Sequence, residues 1–284
     1  MKHFLLHSKN FLTGLLLLIS FSTSAQTPDA NNILYVNINV TGGNGSGDSW
    51  ANAIPQLADA MKYARGQYIA NNAVYDATPL KIYVAKGTYK PMYSPINSDY
   101  TQDGGMDNAF VMVKNVQVYG GFDPSNGIDD LTDTRLLPSS GGDGGGSILS
   151  GDIGTASDYD NTYHVVISSG AVGTALLDGF TIRDAFMDYL GSNTAYLVNA
   201  NPVYKASGSI YNVLSSPTFA NCLITENTKW SAAGMHNYYQ SSPTLINCSF
   251  KGTYTYYTDG GAICNYHQSS PTITNCSFTN NGAQ

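Results

Sequence analysis

The apolar residues of this chain fall in short runs broken by Gly, Pro, Asn, Asp and Ser, as in Ile82-Tyr83-Val84-Ala85 and Val116-Gln117-Val118-Tyr119. Most runs lack apolar spacing of three and four, so the pattern predicts strands and corners rather than helices. One stretch differs. Trp50, Ile54, Leu57, Ala58, Met61 and Ala64 recur at helical spacing, with Pro55 near the start, and predict one helix over Trp50 to Arg65.

The polar punctuation itself repeats. Ser215-Ser216-Pro217-Thr218-Phe219-Ala220-Asn221-Cys222 returns as Ser241-Ser242-Pro243-Thr244-Leu245-Ile246-Asn247-Cys248 and as Ser269-Ser270-Pro271-Thr272-Ile273-Thr274-Asn275-Cys276, with prolines 26 and 28 residues apart. A glycine- or serine-led strand ending in Asn212, Asn237 or Asn265 precedes each copy. Repetition at this period means stacking, because no single unit can bury its own apolar face. Three strands per turn predict an all-β fold, a right-handed parallel β-helix with the N-terminal helix as its cap. A leucine-rich repeat has a similar period, but no copy supplies its Leu-x-x-Leu-x-Leu strand.

The repeat predicts columns. Leu177, Phe219, Leu245 and Ile273 share one inward column, as do Phe180, Cys222, Cys248 and Cys276, and likewise Ile182, Ile224, Phe250 and Phe278. Gly179, Asn221, Asn247 and Asn275 share a corner column, because Gly and Asn enter the left-handed region at least cost. Stacked Asn amides there are expected to bond from turn to turn. Cys264 is placed with Ile210 and Met235 in a further inward column. In such columns cysteine packs as a small hydrophobe. Buried thiols are favoured, and a vertical disulfide between turns is left open.

Residues 1–25 read as an export signal: Lys2 and Lys9, an apolar run from Phe11 to Phe21, then Thr23-Ser24-Ala25. Residues 26–80 form the cap region, and 81–284 the solenoid. No other segment has the composition to span a bilayer. Phe278-Thr279-Asn280-Asn281-Gly282-Ala283-Gln284 stops where another glycine-led strand is due, so the solenoid is expected to be incomplete at this end. A covering partner is the alternative. The chain carries 13 basic and 20 acidic residues. Removing the two signal lysines leaves 11 against 20, a net of −9, which argues against nucleic acid and anionic membranes.

Gly260-Gly261-Ala262-Ile263 with Phe278-Thr279-Asn280-Asn281 resembles the paired GGAI and FxxN repeats of chlamydial polymorphic outer membrane proteins. The phrases at 82–91, 116–122 and 148–153, after a Trp-containing cap, are similar to secreted right-handed β-helix repeat proteins of Bacteroidetes. The resemblance implies an exported protein at the extracellular or outer-membrane surface of a Gram-negative bacterium, with an adhesin-like role.

Catalytic signatures are thin. Fold alone is no evidence of activity, although pectin-lyase-like β-helices include polysaccharide lyases and hydrolases. Asp129-Asp130 has no basic partner at a useful offset. Arg183-Asp184 is the best charged pair and reads as a solvated salt bridge. The run from Asp158 to His164 suggests a Ca²⁺ or sugar loop but reads first as an Asp/Asn turn, and Gly42 to Asp48 reads as a turn. No catalytic residue, metal ligand or cofactor is assigned, with Ca²⁺ kept as the alternative. The candidate binding residues are aromatic: Tyr238, Tyr239, Tyr266, His267 and Tyr256, a strip for sugar rings or a partner surface. The expected function is a non-catalytic adhesion or glycan/protein-binding module for a polysaccharide or a host or cell-surface protein. A polysaccharide lyase or glycoside hydrolase, or a structural spacer, are the alternatives.

Overall fold

The computed structural model describes residues 25–98, 100–139, 141–155, 160–186, 194–205, 208–227, 234–255 and 260–283. The export-signal expectation falls almost wholly outside the described residues, as does Tyr256. The described chain is an all-β right-handed parallel β-helix with one α-helix. Each full turn visits three parallel sheets in sequence. Sheet 1 stacks Phe110–Val111, Val166–Ser169, Ile210–Val213, Met235–Tyr238 and Ile263–Asn265. Sheet 2 has seven strands, from Ile33–Val36 through Thr218–Ala220 to Thr272–Thr274. Sheet 3 has six, from Gly87–Tyr89 through Leu223–Thr225 to Ser277–Thr279.

In-register stacking turns sequence columns into a core. In sheet 2, Leu34, Ile82, Val118, Leu177, Phe219, Leu245 and Ile273 lie in one row. In sheet 3, Tyr89, Leu149, Ile182, Ile224, Phe250 and Phe278 lie in another. Each row is buried until its last member, where Ile273 and Phe278 are exposed. A fully buried Leu, Ile or Phe contributes about 1.5–3 kcal/mol, so these rows dominate the cohesion of the stack.

Polar ladders reinforce the rows. Asn221, Asn247 and Asn275 hold φ near 50° at the corner between sheets 2 and 3, where Gly179 has φ 85°. Their amides run turn to turn, Asn247 Nδ2 donating to Asn221 Oδ1 at 3.1 Å and Asn275 Nδ2 to Asn247 Oδ1 at 2.7 Å. A second ladder is interior: Asn212 Nδ2 donates to Asn237 Oδ1 and Asn237 Nδ2 to Asn265 Oδ1, both at 2.8 Å. The paired serines are ladders too. Ser215 N–H donates to Ser241 Oγ and Ser241 N–H to Ser269 Oγ, while Ser242 and Ser270 N–H donate to Ser216 and Ser242 Oγ. Each hydroxyl thus satisfies a backbone donor that the corner withholds from a sheet.

Two expectations need correction. The helix spans Leu57–Ala70, not Trp50 to Arg65. Ile54 is extended, its N–H donating to Tyr35 O and its carbonyl accepting from Asn37 N–H, so the helix cannot begin before it. Leu57, Ala58, Ala60, Met61 and Ala64 face the main core. Trp50 instead packs outside sheet 2 against Tyr35 and Phe122, its Nε1 donating to Asp129 O. Cys264 pairs with His236, not Met235, because Asn237 and Asn265 fix the register. It lies on the outward face of sheet 1. No described helix is long and apolar enough to cross a membrane.

Candidate functional site

The outer face of sheet 1 is unlike the others. A β-hairpin, Ala195–Val198 with Asn201–Tyr204, lies over it and buries Tyr196, Val198 and Val203 against Ile167, Tyr211 and Val213. Sequence reasoning missed this hairpin. Its two-residue turn, Asn199-Ala200, holds φ of 52° and 63°. That suits a primed hairpin turn, but Ala stands where Gly gives the usual signal.

Beyond the hairpin the outward side chains become aromatic. The strand column after the inner asparagines reads Val213, Tyr238, Tyr266, and the following corner column reads Leu214, Tyr239, His267. Tyr238, Tyr239, Tyr266 and His267 are therefore brought together, as the sequence suggested, and none of them points into the core. Tyr238 is half-buried, its edge against Tyr204 of the hairpin. Tyr239 and Tyr266 are 43% and 38% exposed. Burial pushes the Tyr238 phenol up to about 12, so it stays a hydrogen-bond donor at neutral pH.

The geometry alters what this strip offers. Tyr239 and His267 stack at 4.5 Å and 7°, and His236 and Tyr266 at 5.4 Å and 13°. Tyr239 and His267 are neighbours in the corner column, where adjacent turns lie about 4.8 Å apart, whereas Tyr238 and Tyr266 in the strand column are tilted at 6.5 Å and 54°. The faces of Tyr239 and His267, and of His236 and Tyr266, are turned toward one another, while Tyr238 meets Tyr239 and His267 edge-on. The strip is a comb rather than a flat plate. Beneath it, His236 packs on Tyr211, and its Nε2 is buried without a partner among the described residues. Burial pushes this imidazole down to about 4.

The corner column also carries strain. Tyr239 and His267 hold φ of 47° and 49°, and Leu214 holds 50°. The equivalent residue one turn earlier is Gly170, at 79°. Bulky residues enter this region at a cost of about 1–2 kcal/mol, so their side chains stand where glycine would serve the backbone better.

A charged cluster occupies the end of sheet 3. The Arg183 guanidinium contacts Asp184 at 3.3 Å and Glu226 at 3.1 Å, and Ser150 Oγ donates to Asp184 Oδ2 at 2.6 Å. Burial pushes the Asp184 carboxyl up, against the opposing pull of Ser150 and Arg183. Lys90 reaches Asp152 at 3.5 Å and lines an open cleft of about 530 Å³ with Tyr93, Asp103 and Asp160. Asp129 and Asp130 lie in a turn whose N–H groups donate to Asp133 Oδ2. Asp48 accepts from Asn52 and Ser49, as a turn residue does.

No family model matches the chain, and no curated protein matches it. Among solved structures, a pectin methylesterase from Erwinia chrysanthemi matches at 13% identity and TM-score 0.40, covering 89% of this chain and 67% of that one. A pectin methylesterase in complex with a hexasaccharide matches at 13% identity and TM-score 0.32, covering 90% of this chain and 67% of that one.

Proposed function

We propose that this protein is an exported, non-catalytic β-helix module that binds a polysaccharide or a surface glycoconjugate along the outer face of sheet 1. The observation that carries the reading is the strained corner column, which keeps Tyr239 and His267 at left-handed positions that glycine would occupy without strain. Phenol and imidazole tips from Tyr238, Tyr239, Tyr266 and His267 form a row of donors and acceptors matched to ring hydroxyls. Tyr supplies a rigid, amphipathic contact at small entropic cost. The acidic net charge favours neutral or cationic glycans over polyanionic ones.

The test is a glycan array probed with the wild type and with the double variant Tyr239→Gly, His267→Gly. Glycine relieves roughly 1 kcal/mol of backbone strain at each corner, against the stacking lost between the rings, about 0.5–1.5 kcal/mol. Stability should therefore change little while binding falls at least tenfold. Undiminished binding by the double variant overturns the reading.

A second reading, polysaccharide cleavage, has one observation in its favour. Asp184 is a carboxyl held toward its protonated form beside an arginine, as a general acid requires. Reducing-end or unsaturated-product release from a polysaccharide panel, lost in Asp184→Asn, would establish it. Absence of product across the panel leaves the binding role.

A further inference from the structure

Three of the four cysteines occupy one inward column of successive turns. The register Ser249 to Ser277 and Leu223 to Ser249 places Cys222, Cys248 and Cys276 directly above one another. None is in a disulfide. Parallel neighbours lie about 4.8 Å apart, inside the Cα separation that a disulfide spans, about 4.4–6.8 Å. The backbone N–H of Cys248 already donates to Cys276 Sγ at 3.3 Å.

The three thiols are not equivalent. Cys222 and Cys248 are fully enclosed, whereas Cys276 is only partly buried. The thiols also differ in acidity. Burial pushes Cys222 well above the usual thiol range, whereas hydrogen bonds from Cys222 and its surroundings pull Cys248 down. An oxidant can therefore reach Cys276, and the sulfur best placed to follow it is Cys248.

We propose that Cys248 and Cys276 are an oxidisable dithiol that closes into a vertical disulfide and locks the last two described turns together. The oxidant is a low-molecular-weight disulfide. The Cys276 thiolate attacks one of its sulfurs, the S–S bond breaks, and one thiolate leaves. The Cys248 thiolate then attacks Cys276 Sγ of the mixed disulfide and releases the second thiol. Two protein thiols are oxidised to one disulfide, and the small disulfide is reduced to two thiols. Burial pushes the Cys276 thiol up, so capture is slow near neutrality and quickens as pH rises.

The test uses the full chain, folded, in oxidised glutathione, followed by alkylation, digestion and mass spectrometry. The expected product is one cross-link, Cys248 to Cys276, with Cys222 and Cys264 alkylated. Cys248→Ala and Cys248→Ser should both stop at glutathione on Cys276, and Cys276→Ser should leave every thiol free. Amide exchange over 272–279 should slow in the oxidised protein. A wild type that stops at glutathionylated Cys276 overturns the proposal. So does a folded protein that keeps all four thiols, or a cross-link involving Cys222 or Cys264.

Discussion

Replacing Asn237 with alanine separates the two asparagine ladders by their surroundings. Asn237 is buried and joins two neighbours, accepting from Asn212 Nδ2 and donating to Asn265 Oδ1. Asn212 is also buried, and its Oδ1 has no partner among the described residues. The substitution would leave the Asn212 amide wholly unpaired in a dry interior, at about 1–3 kcal/mol. Asn265 is exposed and can turn to water, so its lost bond adds only about 0.5–1 kcal/mol. The expected total is roughly 1.5–4 kcal/mol. Asn247 makes two ladder bonds of comparable length, but they are exposed, and its φ of 54° suits glycine. Asn247→Gly should therefore cost about 1 kcal/mol or less, mostly unfolded-state entropy. Urea unfolding of both variants reads the contrast as a shift in midpoint at constant slope. Amide exchange over 210–213 and 235–238 locates it, since a solenoid feels a lost contact chiefly at the adjoining turns. Equal losses in the two variants would refute the claim that burial, not hydrogen-bond count, sets the worth of a ladder.

Two further predictions come from the core. Phe250 is fully buried and Phe278, stacked on it at 5.2 Å, is 47% exposed. Phe250→Ala should cost about 3–5 kcal/mol and Phe278→Ala under half of that, measured by the same unfolding experiment; similar losses would contradict the burial gradient along the column. Burial pushes both His164 and His236 down to about 4, below the unfolded value. Their stabilisation is complete above pH ~6.5 and is lost as pH falls toward ~4, because the unfolded chain then binds protons that the folded one refuses. His164 should contribute less of this loss than His236, since the Gly208 and Tyr204 carbonyls at its two ring nitrogens favour the doubly protonated ring. A urea midpoint that stays flat from pH ~7.5 to ~5 would contradict this sign.

Legibility followed periodicity. The apolar columns and the Asn corner were readable because a parallel stack forces equivalent residues into one row, and a row tolerates few residue types. Cys264 was misplaced for the same reason in reverse. Gly261-Ala262-Ile263-Cys264 carries one more residue before its Asn than Gly234-Met235-His236 does, and only Asn265 against Asn237 sets the frame. The hairpin escaped because it belongs to no repeat. The helix start was misjudged because Trp50 and Ile54 match helical spacing while serving the outside of sheet 2 and an extended bridge.

The paired serines show where pattern and function part. Their recurrence invites a search for chemistry, yet the hydroxyls of Ser241 and Ser269, like those of Ser216 and Ser242, accept from backbone N–H groups at a corner. A group repeated in every turn is doing what every turn requires. In a stack, specific recognition has to come from columns that change. The corner before Ser-Ser-Pro changes most, passing from Gly170 through Leu214 and Tyr239 to His267 without altering its left-handed backbone. Strain persists there while side-chain chemistry varies. A purely structural corner would drift toward Gly or Asn, as Gly179, Asn221, Asn247 and Asn275 have done on the next corner of the same turns. The contrast between those two columns is what supports placing the proposed binding face on sheet 1 rather than at the more regular asparagine edge.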